Sequence, residues 1–514
     1  MFAMISLIAI CLAGFLPSFV SAQSIGSGGL EVVWRAQVDV PQSRKRQTQV
    51  SVHLSKQNVI KAYEVVFDGG SRLFAPQHID RQGRALGETG AAHMADVELR
   101  VLKSRGIEAE IIEHATPRIT LYAQSTEGIL YTIDGETGEI RWQVPIGRAD
   151  YPNMLPAAND DYAAVVNGST LHIVSLADGK LAWTKRLPTA PSNSPVVTDT
   201  HVFVPLHGGM LDGYSLDEEV SKIPLRTRSL GSTQAKPVLT GNSITWPTDR
   251  GFLYSADKES GKVRFRMEAR SNLVSNAAFL APNRIFVGSI EGYLFCVNEK
   301  AGGMLWQFSS GESLASAPFA SGDSVYAMTS RGSLFAVNSQ NGIQRWQTSG
   351  IRQIVSASED YLHCVGDRDQ LVMLDRKSGG MVSTTSFGGR VITNTVSDRI
   401  YVVTDSGQLV CLRQQNQQWP SITNMVKEIM VDANDKSTPT EKVSDSAEVV
   451  DVDSAETDEE DPFESEEDVF GDEDDAMDDD GDDAFGDDED AFGDDEDAFG
   501  DDEDAFGDDE ELFN

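Results

Sequence analysis

From about residue 117 to Trp419 the chain repeats one arrangement of apolar and polar positions. Its clearest copy is residues 128–142, GILYTIDGETGEIRW. Ile129, Tyr131 and Ile133 alternate with Leu130 and Thr132, the period of a β-strand. Asp134 opens a tight turn and Gly138 closes it. An Asp side chain accepts hydrogen bonds from backbone just ahead of it, and Gly adopts positive φ without a Cβ clash. Trp142 then lies on a second strand. Later copies end at Trp183, Ile223, Phe265, Trp306, Trp346, Ser383 and Trp419, at intervals of 36–42 residues. Their turn pairs are Asp257 and Gly261, Asn298 and Gly302, Asn338 and Gly342, and Asp375 and Gly379. The copy ending at Ile223 has lost both turn Gly and Trp, and the one ending at Ser383 is degenerate.

Another apolar strand precedes each copy, as at residues 202–206, 284–288, 324–328 and 399–404. A short Ser/Ala-Pro segment often lies upstream, such as Ser194-Pro195 or Ala317-Pro318. Four short strands per ~40 residues is the signature of propeller blades, which must stack because one blade cannot bury both faces. An aromatic residue at a fixed place suits the wedge between sheets. Eight copies predict an all-β, eight-bladed propeller of four-stranded blades over residues 117–420. Seven blades with one split unit is the alternative. Trp34, in LEVVWRAQV, resembles an outer-strand Trp and is the candidate for a strand that closes the ring.

Residues 30–116 lack the repeat and read as a small α+β unit. Strands are expected at residues 30–40, 50–54, 63–67 and 107–113, with a turn at Asp68-Gly69-Gly70. One helix is expected from Thr89, a candidate N-cap, to Gly106 as the C′ residue. Met94, Val97, Val101 and Leu102 share its apolar face.

The two ends have different chemistry. Residues 2–22 form an apolar run with Pro17 and a small-x-small site at Val20-Ser21-Ala22, which predicts a signal peptide cleaved after Ala22. The segment lacks Lys and Arg before the apolar run, so an uncleaved anchor is the alternative. Cys11 does not stand in a lipobox. No later run reaches the ~18–20 apolar residues of a membrane helix. The chain is expected to be exported, then soluble or peripheral. After a polar linker at 421–440, residues 441–514 hold 39 Asp and Glu against one Lys. This tail accounts for nearly all of the formal charge of −39. The body is close to neutral and carries no electrostatic footprint for nucleic acid. In the tail Phe485, Phe492, Phe499 and Phe506 recur every seven residues, each followed by Gly. One apolar residue per heptad makes no coiled-coil seam, and dense acids repel, so disorder is expected. Weak divalent-cation binding, docking of basic partner surfaces and a merely solubilising role are its three readings. Arg44-Lys45-Arg46 reads as a solvated basic loop.

Little in the body reads as chemistry. Cys296, Cys364 and Cys411 fall in strands, with no CxxC or adjacent pair, and read as buried thiols; one disulfide plus a free thiol is the alternative. No His/Cys cluster has metal-ligand spacing. The turn position is filled by Asp or Asn interchangeably, which suits capping and not acid–base work.

The motif G-x-L-[YF]-x-[LIV]-[DN]-x-x-[TS]-G-x-x-x-W, clearest at residues 128–142, 251–265 and 292–306, resembles the tryptophan-docking repeat of PQQ-type, quinoprotein-like β-propellers. A signal-bearing eight-unit member without enzyme motifs looks most like the BamB-type scaffold of outer-membrane protein assembly. The chain departs from that pattern in lacking a lipidated Cys and in its two ends. The resemblance implies a non-enzymatic scaffold with envelope protein partners, among them β-barrel assembly machinery, and no cofactor or metal. The alternative it carries is a PQQ-dependent dehydrogenase. In that family such an enzyme holds a calcium-bound quinone in the central channel, commonly beneath a disulfide of adjacent cysteines. No adjacent pair occurs here. On this reading Trp142, Trp183, Phe265, Trp306, Trp346 and Trp419 dock blades and take no part in catalysis.

Overall fold

The computed structural model describes residues 23–25, 29–38, 47–78, 86–217, 223–415 and 417–423. The expected signal peptide, the Arg44–Arg46 cluster, residues 424–440 of the linker and the whole acidic tail lie outside the described residues.

Eight antiparallel sheets build an eight-bladed β-propeller. Blades 2 to 7 are each four consecutive strands. They begin with Ala157–Ala158 and end with Leu181–Arg186 in blade 2; the last, blade 7, runs from Ile351–Ala357 to Met381–Ser386. Blade 3 closes with Leu225–Arg228, blade 4 with Val263–Glu268, blade 5 with Met304–Ser309 and blade 6 with Gln344–Thr348. Middle strands such as Ser324–Met328 are buried on both faces and are continuous apolar runs. Outer strands alternate exposed and half-buried positions.

Eight apolar clusters fill eight seams between neighbouring blades. Phe319, Tyr326 and Trp346 of blade 6 pack with Ile354, Leu362 and Leu374 of blade 7. Trp34, Tyr401 and Cys411 of blade 8 pack with Val50, Leu121 and Ile133 of blade 1. The ring is therefore closed by side-chain packing all the way round. Each seam buries apolar area that a lone blade would expose, at about 25 cal/mol per Å².

Blade 8 is assembled from both ends of the propeller. Arg390–Ile392, Ile400–Val403 and Gln408–Gln414 supply three strands, and Leu30–Gln37 pairs alongside as the fourth, with Trp34 opposite Cys411. Gln23–Ile25 adds a fifth strand outside it. Trp419 thus differs from expectation. It lies past the end of Gln408–Gln414, outside any strand, and its indole donates to Thr116 Oγ1 at 2.6 Å. The last repeat supplies no outer strand of its own, and Trp34 takes that place.

The unit expected at residues 30–116 is not separate either. Gln49–Phe67 and Ala109–Gln124 are single long strands. Their paired segments at 49–54 and 119–124 are the inner strands of blade 1. Beyond a bulge the same pair continues as a ribbon, 59–67 against 109–117, which adds Gly70–Phe74. The helix Gly87–Ser104 packs on this ribbon through Ala95 and Leu102. It starts two residues earlier than expected, so Thr89 lies inside its first turn and provides no cap. Gly106 holds φ +74°, and the amides of Gly106 and Ile107 bond the carbonyls of Lys103 and Leu102, a Schellman ending. Ala91, Ala95 and Leu102 form the buried face, and Met94 is exposed. Small residues sit where the helix approaches the ribbon closely, a position that a hydrophobicity pattern undervalues.

Candidate functional site

The recurring turn and aromatic residue meet across blade boundaries. Asp134 Oδ1 accepts from the amides of Glu136 and Thr137 at 3.1 and 3.2 Å. Asp257, Asn298, Asn338 and Asp375 accept from the matching amides two and three residues on. Gly138, Gly261, Gly302, Gly342 and Gly379 all hold positive φ. Four of these glycines lie under the aromatic ring of the preceding blade. A Cβ would come within 2.5 Å of Trp34 at Gly138, 2.4 Å of Phe265 at Gly302, 2.7 Å of Trp306 at Gly342 and 2.5 Å of Trp346 at Gly379. Trp142 stands in the same relation to Gly179. The indoles of Trp34, Trp183, Trp306 and Trp346 also donate to backbone carbonyls of the next blade, at Gly135, Leu216, Ser339 and Arg376. In blade 3, Ile223 is exposed, and Leu225 and Phe203 lie near Gly261 instead. All of these residues take part in the packing of the ring, and Trp142 also lines a cavity between blades 1 and 2.

Hollows among the described residues include three of note. The inner strands enclose a central channel with a cavity of about 730 Å³. Its wall is mostly apolar, with Val50, Val196, Val238, Phe279, Phe319 and Ile354, and Lys236, Asn276 and Arg352 among its polar groups. A second cavity of about 670 Å³ lies between blades 1 and 2. There Asp160 accepts from His53 at 3.1 Å and from the amides of Lys56 and Gln57. Burial pushes its carboxyl up, and the bonds from His53, Ser55 and the Lys56 amide outweigh that and hold it below the usual range. These contacts cap the loop at residues 55–58. A third cavity, of about 590 Å³, is lined by Glu64, Ser71, His114 and Trp419. Ser71 donates to Glu64, which also contacts His114 at 2.8 Å. The hydroxyl meets the carboxylate and not the imidazole, so there is no direct Ser–His contact here.

Cys296, Cys364 and Cys411 are free and buried in blades 5, 7 and 8. Burial pushes the Cys296 thiol up to about 12 and raises the other two further, which leaves them unreactive. Among the described residues no group of three or more His, Cys, Asp or Glu is placed to hold a metal ion. No helix among them is long and apolar enough to cross a membrane.

Two buried titrating groups oppose each other. Burial lowers His363 to about 4, so it folds neutral, with Nδ1 3.1 Å from Ser356 Oγ. Its stabilising effect is complete above an unfolded value of 6.5 and is lost as pH falls towards 4. Burial raises Asp398 to about 6 against the pull of Arg399. There the folded chain holds the extra proton, so stability falls as pH rises from 3.8 to 6. Each effect amounts to about 3 kcal/mol at full extent, and they offset one another between pH 4 and 6. Urea unfolding is expected to show His363→Gln gaining on the wild type as pH drops from 6.5 to 4.5. Asp398→Asn is expected to lose ground over the same interval. Parallel pH profiles for the two variants contradict this assignment.

Sequence reasoning missed Lys236 and the buried Arg399. Lys236-Pro237 was visible as a variant of the Ser/Ala-Pro segment that precedes inner strands. Arg399 carried no signal, because its burial depends on a partner in blade 1.

Residues 126–219 and 215–350 match the family model described as outer membrane protein assembly factor BamB. Together they span less than half of the chain. Tetrathionate hydrolase of Acidithiobacillus ferrooxidans is 23% identical over 190 residues, 36% of this chain. The match spans about a third of that relative's own length, 34%. Among similar solved structures, BamB from Moraxella catarrhalis has a TM-score of 0.49 and 16% identity, covering 57% of this chain and 93% of its own. The computationally designed protein Ika8 has a TM-score of 0.48 and 11% identity, covering 57% and 92%. Eight blades with turns docked at most of the seams make this an eight-bladed β-propeller, and its residues 126–350 resemble the BamB assembly-factor family model.

Proposed function

We propose that the protein is a non-enzymatic, exported scaffold that binds protein partners in the bacterial cell envelope, at the periplasmic face of the outer membrane. The observation that carries this reading is the outer rim. At or just before the start of the outer strands of blades 2, 4, 5, 6 and 7 an apolar side chain faces solvent: Leu181, Val263, Met304, Ile343 and Met381, 63% exposed at Ile343. Leu305 and Val382 extend the patch on blades 5 and 7. Recurrent apolar exposure beside unpaired strand edges is costly for a monomer and suits partner docking or strand addition. On blade 8 that outer edge is already paired, by Gln23–Ile25.

The match to an assembly-factor family supports a role in outer-membrane protein assembly, with β-barrel assembly machinery as the partner. The enzymatic alternative fits the residues poorly. Among the described residues no Asp or Glu lines the channel to help hold a calcium-bound quinone, and Cys296, Cys364 and Cys411 sit on separate blades. Affinity purification from detergent-solubilised envelope is expected to recover barrel-assembly components. The double variant Met304→Asp, Met381→Asp is expected to reduce that recovery at least about fivefold with an unchanged circular dichroism spectrum. Consistent absence of those components from the wild-type eluate would overturn the assembly role.

A further inference from the structure

The geometry points to the central channel as a binding site for a small organic anion, an apolar body bearing one carboxylate or sulfonate, with Lys236 as its charge partner. This stands apart from the rim and from any protein docked there.

In four blades the residue two positions ahead of the inner strand belongs to the channel lining. Leu155, Asn276 and Ala317 hold that place in three blades, and Lys236 holds it in blade 4. Its backbone amide is fixed by Asn276 Oδ1 at 2.8 Å, so the side chain starts from an anchored point. No carboxylate among the described residues pairs with its ammonium, and no Asp or Glu lines the cavity. The other basic groups there are already paired, Arg352 with Asp369 at 2.6 Å and His53 with Asp160 at 3.1 Å. Gln353 is likewise committed, to the Val391 carbonyl and Thr393 Oγ1. Lys236 is thus a cation held beside an apolar wall with its charge uncompensated. Desolvation brings it down to about 8, the mark of a charge without a partner.

An anion entering here would gain more from Lys236 than it would at an exposed lysine, because the surrounding wall lowers the local dielectric. Phe279, half-buried on the wall, offers ring surface to its apolar part. The cavity, at about 730 Å³, is within the range that encloses a small organic molecule. A bare inorganic anion would leave that apolar wall unused. The bland counterpart is a lysine that keeps its ammonium hydrated at the mouth and binds nothing.

The test uses the fluorescence of 8-anilinonaphthalene-1-sulfonate, with N-phenyl-1-naphthylamine as the same ring system without the charge. The sulfonate is expected to bind the wild-type chain saturably at pH 6.5. Lys236→Met should weaken it about tenfold or more, and Lys236→Arg should retain it. Affinity in the wild type should fall about tenfold between pH 7 and 9.5 as Lys236 loses its proton. The uncharged probe should respond to neither change. The pH titration needs no substitution and decides the matter if Lys236→Met fails to fold. Sulfonate binding that is indifferent both to pH and to Lys236→Met, or no saturable binding at all, overturns the proposal.

Discussion

Replacing Arg399 with methionine is expected to lower the unfolding free energy by about 3–5 kcal/mol. The guanidinium is fully buried at the seam where blade 8 meets blade 1. Its Nε and Nη2 bond both oxygens of Glu136, at 2.8–3.2 Å, and Nη1 reaches Asp398 at 3.3 Å. Nη1 and Nη2 also donate to the carbonyls of Gln417 and Gln418. One side chain therefore ties the turn of blade 1, the start of a blade 8 strand and the segment leading away from it. Methionine fills much of the volume and leaves two buried carboxylates without a counter-charge. The loss comes mainly from those stranded charges and only in part from the missing bonds. Adding Glu136→Gln and Asp398→Asn to Arg399→Met should therefore recover most of the stability. Urea unfolding of the single and triple variants measures both. A single-variant loss below about 1 kcal/mol would mean that the cluster is solvated and not structural.

The contrast between what the sequence discloses and what it conceals follows from range. The turns at Asp134, Asp257, Asn298, Asn338 and Asp375 are local: each cap reaches only two or three residues, so its chemistry is written in adjacent letters. The docking of Trp306 over Gly342 spans about one repeat, and regular repetition makes it legible. Blade 8 is different. Its outer strand comes from residues 30–37 and its partner from 408–414, and the degenerate end of the last repeat invited Trp419 into a place that Trp34 holds. The long strands Gln49–Phe67 and Ala109–Gln124 were hidden for a related reason. Their paired registers pass through the blade and beyond it, and nothing in the local pattern marks where the blade stops. Lys236 is the converse case. Its position was legible from the Pro that follows, but its lack of a counter-charge depends on eight blades meeting around one channel.

Trp34→Ala is expected to cost about 3–5 kcal/mol, more than the same change at Trp306. Trp34 is 4% exposed, and Trp306 is only half-buried. The ring of Trp34 covers Gly138, where φ +72° and the absent Cβ allow the close approach, and its Nε1 donates to the Gly135 carbonyl at 3.0 Å. Truncation opens a cavity against Tyr401, Leu121 and Ile133 and leaves that carbonyl without its donor. Position in the ring adds to the loss. Leu30–Gln37 is joined to Gln408–Gln414 by no short connection, so its pairing must hold closed a loop of nearly the whole propeller. Trp306 lies on an outer strand that pairs with the strand just before it in sequence, so a local defect does not open the ring. Trp34→Ala should therefore speed hydrogen exchange along both Leu30–Gln37 and Gln408–Gln414, whereas Trp306→Ala should affect blade 5 and its seam with blade 6. Equal destabilisation and equally local exchange in the two variants would show that the closing strand has no special standing, and that the ring is held by its seams alone.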